Sequence, residues 1–202
     1  MLHVIRHGRT EANAAGLLLG HLDPELDDVG KRQALAVARA VGPVDRVISS
    51  PLLRTRRTAE AFTVRDGSHV EVDERWIEMD YGEFDGRALA EVSRETWEAW
   101  RADLDWAPPG GESHRALGLR VRAALNDLFE ESRTSELVVV THVSPIKAAL
   151  AWALGVGDEV AWRTFVAPAS VMTVGAGPAG PSPVSYTHLR AHETLRYLVC
   201  RR

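Results

Sequence analysis

Short apolar runs alternate with longer amphipathic segments along most of the chain. The apolar runs at residues 1–5, 46–49 and 137–141 have the length and composition of strands, and the last, Leu-Val-Val-Val-Thr, is typical of a buried parallel strand. Amphipathic segments at residues 27–41 and 113–132 predict helices. Because strands and helices alternate, we predict an α/β fold, a three-layer sandwich with a mostly parallel central sheet and helices on both faces.

Weaker signals predict further elements between these. Ser50 followed by Pro51 is a typical helix start, with serine as the N-cap and proline at the first helical position. Also predicted are a short strand at residues 70–72, a Trp-rich helical segment at 89–106, a helix at 145–154 and an edge strand at 171–174.

The C-terminal residues differ in character from the rest of the chain. We place the folded domain at residues 1–175 and predict that the Gly- and Pro-rich segment 176–183 is a flexible breaker. Residues 184–202 resemble the translation of a transposon-end sequencing adapter, which predicts a non-native tail and a missing natural C-terminus. The alternative is a genuine basic tail. We therefore assign no function to His188, His192 or Cys200.

The composition indicates one ordinary globular domain. The chain has 202 residues, of which 45% are hydrophobic and 26% charged, and this length supports one full hydrophobic core. The net charge of -4 gives no electrostatic reason to expect nucleic acid or an anionic membrane as a partner.

The cysteine count and the hydropathy of the chain limit its possible cross-links, metal sites and cellular location. A single cysteine excludes an intrachain disulfide and a cysteine-based zinc site. No apolar run approaches the roughly 20 residues that cross a bilayer, and the N-terminus lacks the pattern of a secretory leader. We therefore expect a cytoplasmic protein.

Polar residues follow the ends of three predicted strands, and ligands of open α/β sheets bind beyond such ends. Arg6-His7 ends the first, Ser49-Ser50-Pro51 leads from the second to Arg54, and His142 ends the third. Arginines suit phosphate oxygens, and a neutral imidazole is an available nucleophile near pH 7. A carboxyl group such as Glu78 can protonate a leaving alkoxide. The set meets the demands of phosphoryl transfer without a metal.

An ordered series of motifs adds a family resemblance over roughly residues 2–175. The motifs are Ile5-Arg6-His7-Gly8-Arg9-Thr10 with Asn13 and Gly20; Leu26 with Gly30 and Gln33-Ala34; Ser49-Ser50-Pro51-Leu52-x-Arg54 with Thr58-Ala59; Ile77-Glu78-x-x-x-Gly82-x-x-x-Gly86; Gly110-Gly111-Glu112-Ser113; and Val140-Thr141-His142. The chain resembles the histidine phosphatase superfamily, in the branch with phosphoglycerate mutases, broad-specificity phosphatases and α-ribazole phosphatases.

The resemblance implies a role for each matching residue. His7 is expected to be the nucleophile that becomes phosphorylated, and Glu78 the proton donor that later activates water. Arg6, Arg54 and His142 are expected to bind the phosphoryl oxygens. Expected substrate contacts are Thr10, Asn13, the backbone near Gly20, and Val143 at the mouth of the site. Two positions depart from the family pattern, which often has Glu at Arg9 and Gly at Val143; neither departure removes a catalytic group.

The resemblance favours a metal-independent phosphatase with no cofactor, acting on a small-molecule phosphate ester. One alternative is a phosphoglycerate mutase. Mutases of this family are usually longer, with added segments that enclose the substrate, so the short stretch between Glu78 and Gly110-Gly111 favours the phosphatase. A second alternative is a non-catalytic phosphate-binding module. The segment 141–147 resembles that of α-ribazole phosphatases, but the sequence does not name the substrate or the oligomeric state.

Several residues keep an open or structural interpretation. The histidines His3, His7, His21 and His142 show no paired-ligand spacing, so we predict no metal site. The role of Glu112 stays open. The six tryptophans are expected mainly in the core, with one or two of the middle group at the mouth of the site.

Overall fold

A computed structural model describes residues 1–177 and 180–187 of the chain. Its centre is one sheet of six strands: β1 (Leu2–Arg6), β2 (Arg46–Ser49), β3 (Glu71–Val72), β4 (Leu137–Thr141), β5 (Val171–Gly177) and β6 (Gly180–Thr187). The strand order is β3-β2-β4-β1-β5-β6. The pairs β1 with β4, β2 with β4 and β2 with β3 are parallel, whereas β5 is antiparallel to β1 and to β6. The predicted α/β class with a mostly parallel sheet is confirmed.

The described residues form six α-helices: α1 (Glu11–Ala14), α2 (Asp28–Val41), α3 (Leu53–Ala59), α4 (Arg94–Ala102), α5 (His114–Phe129) and α6 (Val143–Leu154). Short 3-10 turns lie between the helices and strands, at Glu74–Trp76, Gly82–Phe84, Leu89–Glu91, Glu131–Arg133 and Asp158–Arg163. In the part of the chain that the structure describes, no helix is long and apolar enough to cross a membrane.

The alternating direction of the side chains along β4 explains why helices cover both faces of the sheet. All five residues of β4 are buried. Leu137 and Val139 belong to one apolar cluster, which includes side chains of α4, α5 and α6, whereas Val138 and Val140 belong to a second cluster with side chains of α2 and α3. Because successive side chains of a strand point to opposite faces, a strand that is buried along its whole length requires helices packed against both faces of the sheet.

The C-terminal part of the sheet corrects two expectations. Residues 176–177 and 180–183, which the sequence assigns to a flexible breaker, form the end of β5 and the start of β6, and these two strands pair with each other. The strand at 171–174 is longer than predicted and internal, and β6 is the edge among the described residues. Pro181 and Pro183 fit there because an edge strand tolerates residues without an amide hydrogen. Residues 188–202, with His188, His192 and Cys200, lie outside the described residues, and the origin of the tail stays a prediction.

The helix after Ser50-Pro51 begins later than the sequence predicts. Helix α3 starts at Leu53, and its N-cap residue Leu52 makes no side-chain capping hydrogen bond. The hydroxyl of Ser50 lies 2.7 Å from the imidazole Nε2 of His142 and accepts a longer hydrogen bond, 3.4 Å, from the amide of Leu52. A residue that resembles a local cap thus serves a long-range contact.

Candidate active site

The carboxyl ends of β1, β2 and β4 bring two histidines together. The amide of His7, directly after β1, donates to the carbonyl of Thr141 at the end of β4, at 3.0 Å. His142 follows Thr141, and the His7 and His142 rings lie 5.2 Å apart between centroids at an interplanar angle of 61°. Both imidazoles are buried. Parallel pairing of neighbouring strands is the reason that residues 135 positions apart meet at one edge.

The protonation of His7 follows from its contacts. Its Nδ1 lies 2.7 Å from the carbonyl oxygen of Gly8. A carbonyl can only accept, so Nδ1 carries the hydrogen and Nε2 of the neutral ring keeps its lone pair. Burial, followed by the charges of Arg54 and Arg6, holds the pKa of His7 well below its usual value of 6.5. The ring is therefore neutral at pH 7, with an unprotonated Nε2.

Three buried donors around His7 lack a partner among the described residues: Nε of Arg6, Nε of Arg54 and Nδ1 of His142. Buried polar atoms without partners are rare in native proteins, and grouped cationic donors are typical of an anion site. Burial lowers the pKa of Arg6 to about 10, so the guanidinium remains charged at pH 7. The site is thus a buried pocket with two positive charges beside a neutral histidine.

Each arginine is held by backbone carbonyl oxygens. Arg6 donates to the carbonyl of Val166 at 2.7 Å. Arg54, which is fully buried, donates to the carbonyls of Gly20 and Leu22, both at 2.7 Å. Arg54 also lies 3.9 Å from the partly exposed carboxylate of Asp23. The carbonyl acceptors orient both guanidinium groups without neutralising their charge.

Glu78 lies against the N-terminus of α6. Its carboxylate accepts hydrogen bonds from the amides of Val143 at 3.0 Å and Ser144 at 3.1 Å, and from its neighbour Met79 at 2.8 Å. The first-turn amides of a helix favour such an acceptor. Because α6 begins directly after His142, the same helix start places Glu78 and His142 at one site.

Arg120 and Glu112 hold the segment that carries Glu78. Arg120 of α5 donates to the carbonyls of Ile77 at 2.8 Å and Glu78 at 3.2 Å. The same guanidinium pairs with Glu112 through two hydrogen bonds, of 2.8 and 2.7 Å. The structure thereby gives Glu112, whose role the sequence left open, a contact that supports the position of Glu78 through Arg120.

The predicted substrate-contact residues separate into two groups. Asn13 and Val143 line the cavity beside His7. Thr10 is fully buried, and its hydroxyl accepts from the amide of Asn13 at 3.2 Å, while Asn13 Oδ1 accepts from the amide of Thr10. Thr10 therefore caps α1 and holds Asn13 in place. Gly20 contributes its carbonyl to Arg54 rather than lining the cavity.

A cavity of about 440 Å³ opens beside His7. Residues Arg6, Glu78, Asn13 and Ser144 lie on its polar side, near the reaction centre. Most of the remaining wall is apolar or aromatic: Leu17, Leu18, Leu19, Met79, Tyr81, Leu89, Trp97, Trp100, Val143, Trp162, Phe165 and Pro168. Arg54 and His142 are not among the residues that line this cavity.

Sequence reasoning missed several residues of this site. Ser50 was interpreted as a cap, and Arg120 and His114 carried no motif that singled them out. Lys147 was noted only as the last residue of the segment 141–147, without a role of its own. His114 lies between Trp100 and Trp162, at 6.1 and 4.9 Å between ring centroids. Its only sequence signal was its position at the start of a predicted helix, next to the Gly110-Gly111 motif.

Within residues 1–177 and 180–187, no group of three or more His, Cys, Asp or Glu side chains has the arrangement of a metal site.

A family model described as histidine phosphatase superfamily, branch 1, matches residues 2–188. The chain belongs to the histidine phosphatase superfamily. Among curated relatives, a probable phosphoglycerate mutase of Salmonella paratyphi B is 36% identical over 167 residues, covering 75% of this chain and 77% of the relative. A bifunctional protein of Mycobacterium tuberculosis is 34% identical over 176 residues, covering 84% of this chain and 48% of the relative. The chain thus spans about half the length of these mycobacterial relatives.

Solved structures of this superfamily superimpose over most of the chain. A mycobacterial glucosyl-3-phosphoglycerate phosphatase, solved with VO3, has a TM-score of 0.76 at 31% identity, over 86% of this chain and 91% of that protein. A phosphoserine phosphatase from Entamoeba histolytica, solved with 3-phosphoglyceric acid, has a TM-score of 0.84 at 25% identity, over 94% of this chain and 98% of that protein. These histidine phosphatases share the α/β fold of the present chain.

Proposed function

We propose that this histidine phosphatase hydrolyses small-molecule phosphate monoesters through a phosphohistidine on His7, without a metal or cofactor. The observation that carries the proposal is the state of His7, whose Nδ1 is bound to the Gly8 carbonyl while Nε2 is left unprotonated at the cavity. The phosphatase names of the structural relatives support the same reaction class.

In the first step, Nε2 of His7 attacks the phosphorus and the bond between phosphorus and the ester oxygen breaks. Glu78 takes up the proton of the phosphate monoester monoanion and gives it to the departing alkoxide. The Arg6 and Arg54 guanidinium groups and His142 stabilise the charge on the three equatorial oxygens, which is the main requirement of phosphoryl transfer.

In the second step, water attacks the phosphorus of phosphohistidine. The Glu78 carboxylate takes a proton from this water, the bond between phosphorus and Nε2 breaks, and the electron pair returns to His7. Inorganic phosphate leaves with this proton, and the enzyme returns to its initial state, in which the Glu78 carboxylate accepts from the amides of Met79, Val143 and Ser144.

A phosphoglycerate mutase is the second candidate, favoured by the 36% identity to a probable mutase. In that case a bound sugar acid, instead of water, accepts the phosphoryl group from His7. The two reactions share the first step and differ only in the acceptor.

The test is phosphate release by the full chain from a panel of monoesters with a chelator present. The panel contains a generic aryl phosphate, α-ribazole phosphate and the phosphoglycerates. His7→Ala removes the nucleophile, and His69→Ala, at an exposed histidine, is the matched control. We expect release by the wild type and the control variant, and a loss of at least about 1,000-fold in His7→Ala, as for other catalytic nucleophiles.

Each outcome identifies one candidate. Interconversion of phosphoglycerates without release supports the mutase. Tight phosphate binding without either activity supports a binding module. Loss of release on adding the chelator contradicts a metal-independent reaction. The cytoplasmic location and the absence of nucleic-acid and membrane partners stay predictions from the sequence.

A further inference from the structure

Lys147 places a cation in the apolar part of the active-site cavity. It lies on α6, three and four residues after Ser144 and Val143, and all three side chains line the cavity. Residues at this spacing share one face of a helix, so Lys147 lies about one turn, roughly 5.4 Å, further along α6 than the amides that hold Glu78. It is therefore set back from the phosphoryl site, toward the space for the leaving group.

The Lys147 side chain is half-buried and has no hydrogen bond or ion pair with the described residues. Its surroundings in the cavity include Trp97, Trp100 and Trp162, which form a packed aromatic wall. Burial lowers the pKa of Lys147, which reflects the cost of holding a cation away from water. A desolvated cation is normally paired, and an unpaired one is costly.

The nearby charges do not remove this cost. Glu78 attracts Lys147 and Arg6 repels it. The carboxylate of Glu78 already accepts from the amides of Met79, Val143 and Ser144. His114, on the same cavity wall, has a pKa lowered to about 4 by burial and by the charge of Lys147, against smaller opposing effects of Asp158 and Glu112, so it is neutral at pH 7. The position of Lys147 thus suits an anion that arrives with the ligand.

We propose that Lys147 binds a second anionic group, a carboxylate, on the leaving group of the substrate, and that the body of this leaving group is aromatic or apolar. The inference rests on the proposed phosphatase function and specifies its substrate class as the phosphate esters of bulky hydroxy acids. The cavity of about 440 Å³ has room for an aromatic ring, since a cavity of about 150 Å³ holds benzene. The tryptophan wall supplies the apolar contact, and Lys147 supplies the charge.

The test uses paired substrates that differ by one charge: 3- and 4-carboxyphenyl phosphate and their methyl esters. In the wild-type full chain we expect kcat/KM to be about 10- to 100-fold higher for at least one carboxylate than for its methyl ester, as for a charge-assisted contact. Lys147→Met should abolish that preference, chiefly through KM, and leave the methyl esters within about 2-fold. Lys147→Arg should retain it.

The control for net charge is Lys31→Met, at the other lysine of the chain, which is exposed on α2. Equal losses for carboxylates and methyl esters in Lys147→Met would show that Lys147 serves the transferred phosphoryl group and would overturn the inference. So would a wild type with no preference for either carboxylate.

Binding of non-hydrolysable analogues separates this inference from the proposed function. The 3- and 4-(phosphonomethyl)benzoates and their methyl esters are titrated by calorimetry into wild type and Lys147→Met. Tighter binding of a benzoate by the wild type alone supports Lys147 as the carboxylate site even if no ester is hydrolysed. Equal binding of benzoates and esters overturns it even if the chain is an active phosphatase.

Discussion

Asp85 and Arg54 hold the same short loop, residues 20–22, from opposite sides. The Asp85 carboxylate accepts hydrogen bonds from the amides of Gly20, His21 and Leu22, at 2.7, 2.8 and 2.8 Å. The carbonyls of Gly20 and Leu22 accept from Arg54. The carboxylate therefore positions the guanidinium through the peptide groups of the loop, without direct contact.

Asp85→Ala should lower both activity and stability. Loss of the three amide contacts frees the loop, and a misplaced guanidinium reduces kcat/KM by about 10- to 100-fold. The unpaired amides should lower the free energy of unfolding by about 1–3 kcal/mol. Phosphate release and urea unfolding measure the two effects. Asp85→Asn, which keeps one acceptor oxygen, should fall between wild type and Asp85→Ala.

The control for Asp85 is Glu83→Gln, at an exposed carboxylate two residues away. It should change kcat/KM and stability little. Unchanged activity in Asp85→Ala would show that Arg54 keeps its position without the loop contacts.

Arg120→Met should impair the reaction step that we assign to Glu78. The variant loses the contacts to the carbonyls of Ile77 and Glu78 and leaves Glu112 unpaired while about four-fifths buried. We expect kcat to fall by about 10-fold or more and unfolding free energy to fall by about 2–4 kcal/mol. The double variant with Glu112→Gln should recover part of the stability, because it removes the unpaired charge, but not the activity.

Arg115→Met is the matched control on the same helix. Arg115 pairs with Asp105 at the surface, with both side chains more than half exposed, and such pairs contribute about 0–1 kcal/mol. If Arg120→Met behaves like Arg115→Met, the contacts of Arg120 with the carbonyls of Ile77 and Glu78 do not contribute to the activity.

His7 should remain neutral in moderately acidic solution. Burial and the two arginines hold its pKa well below 6.5, so the ring should keep the Nδ1–H tautomer at pH 5.5 to 6, where an ordinary histidine is about three-quarters or more protonated. Nitrogen-15 NMR of histidine-labelled protein measures this directly, with His7→Gln for assignment. A titration midpoint of His7 near pH 6.5 would contradict a buried site that holds two cationic arginines.

His114→Phe should reduce the acid sensitivity of folding. Unfolded histidine has a pKa of about 6.5, and the folded value for His114 is lowered to about 4. Below pH 6.5 the unfolded chain therefore binds a proton that the folded chain does not. The stabilising contribution is complete above pH 6.5 and is lost as the pH falls toward 4, at up to about 1.4 kcal/mol per pH unit.

Urea unfolding of wild type and His114→Phe between pH 7 and 4.5 checks this. Because burial also lowers the pKa values of His7 and His142, both proteins should lose stability in acid, but the wild type more steeply. Parallel curves would show that His114 already binds a proton in the folded protein.

The regular parts of the fold were accessible from sequence because their signal is local. The run of apolar residues in β4 and the periodicity of α2 appear in consecutive positions, and the structure matches these predictions closely. The hairpin of β5 and β6 was missed because Gly and Pro are typical of breakers. Their acceptability in β6 depends on its place at an edge, which no local pattern reports.

The same division applies to the candidate site. Motifs singled out His7 and Glu78, and the order of the strands brought His7 beside His142 as the rule for strand ends predicts. The contacts of Arg120 and Asp85 were not accessible, since their partners are backbone carbonyls and amides. Every residue carries these groups, so the sequence does not show which of them is used.

By itself the sequence determined the α/β class, the family resemblance and the residue types able to carry phosphoryl transfer, because periodicity and motif spacing are properties of neighbouring positions. Only the tertiary structure decided which side chains lose water and which find partners. It made Thr10 a helix cap, Ser50 a partner of His142, and Lys147 a half-buried cation on an aromatic wall. Burial and pairing depend on segments distant along the chain, and these two quantities set the charge and reactivity of a side chain.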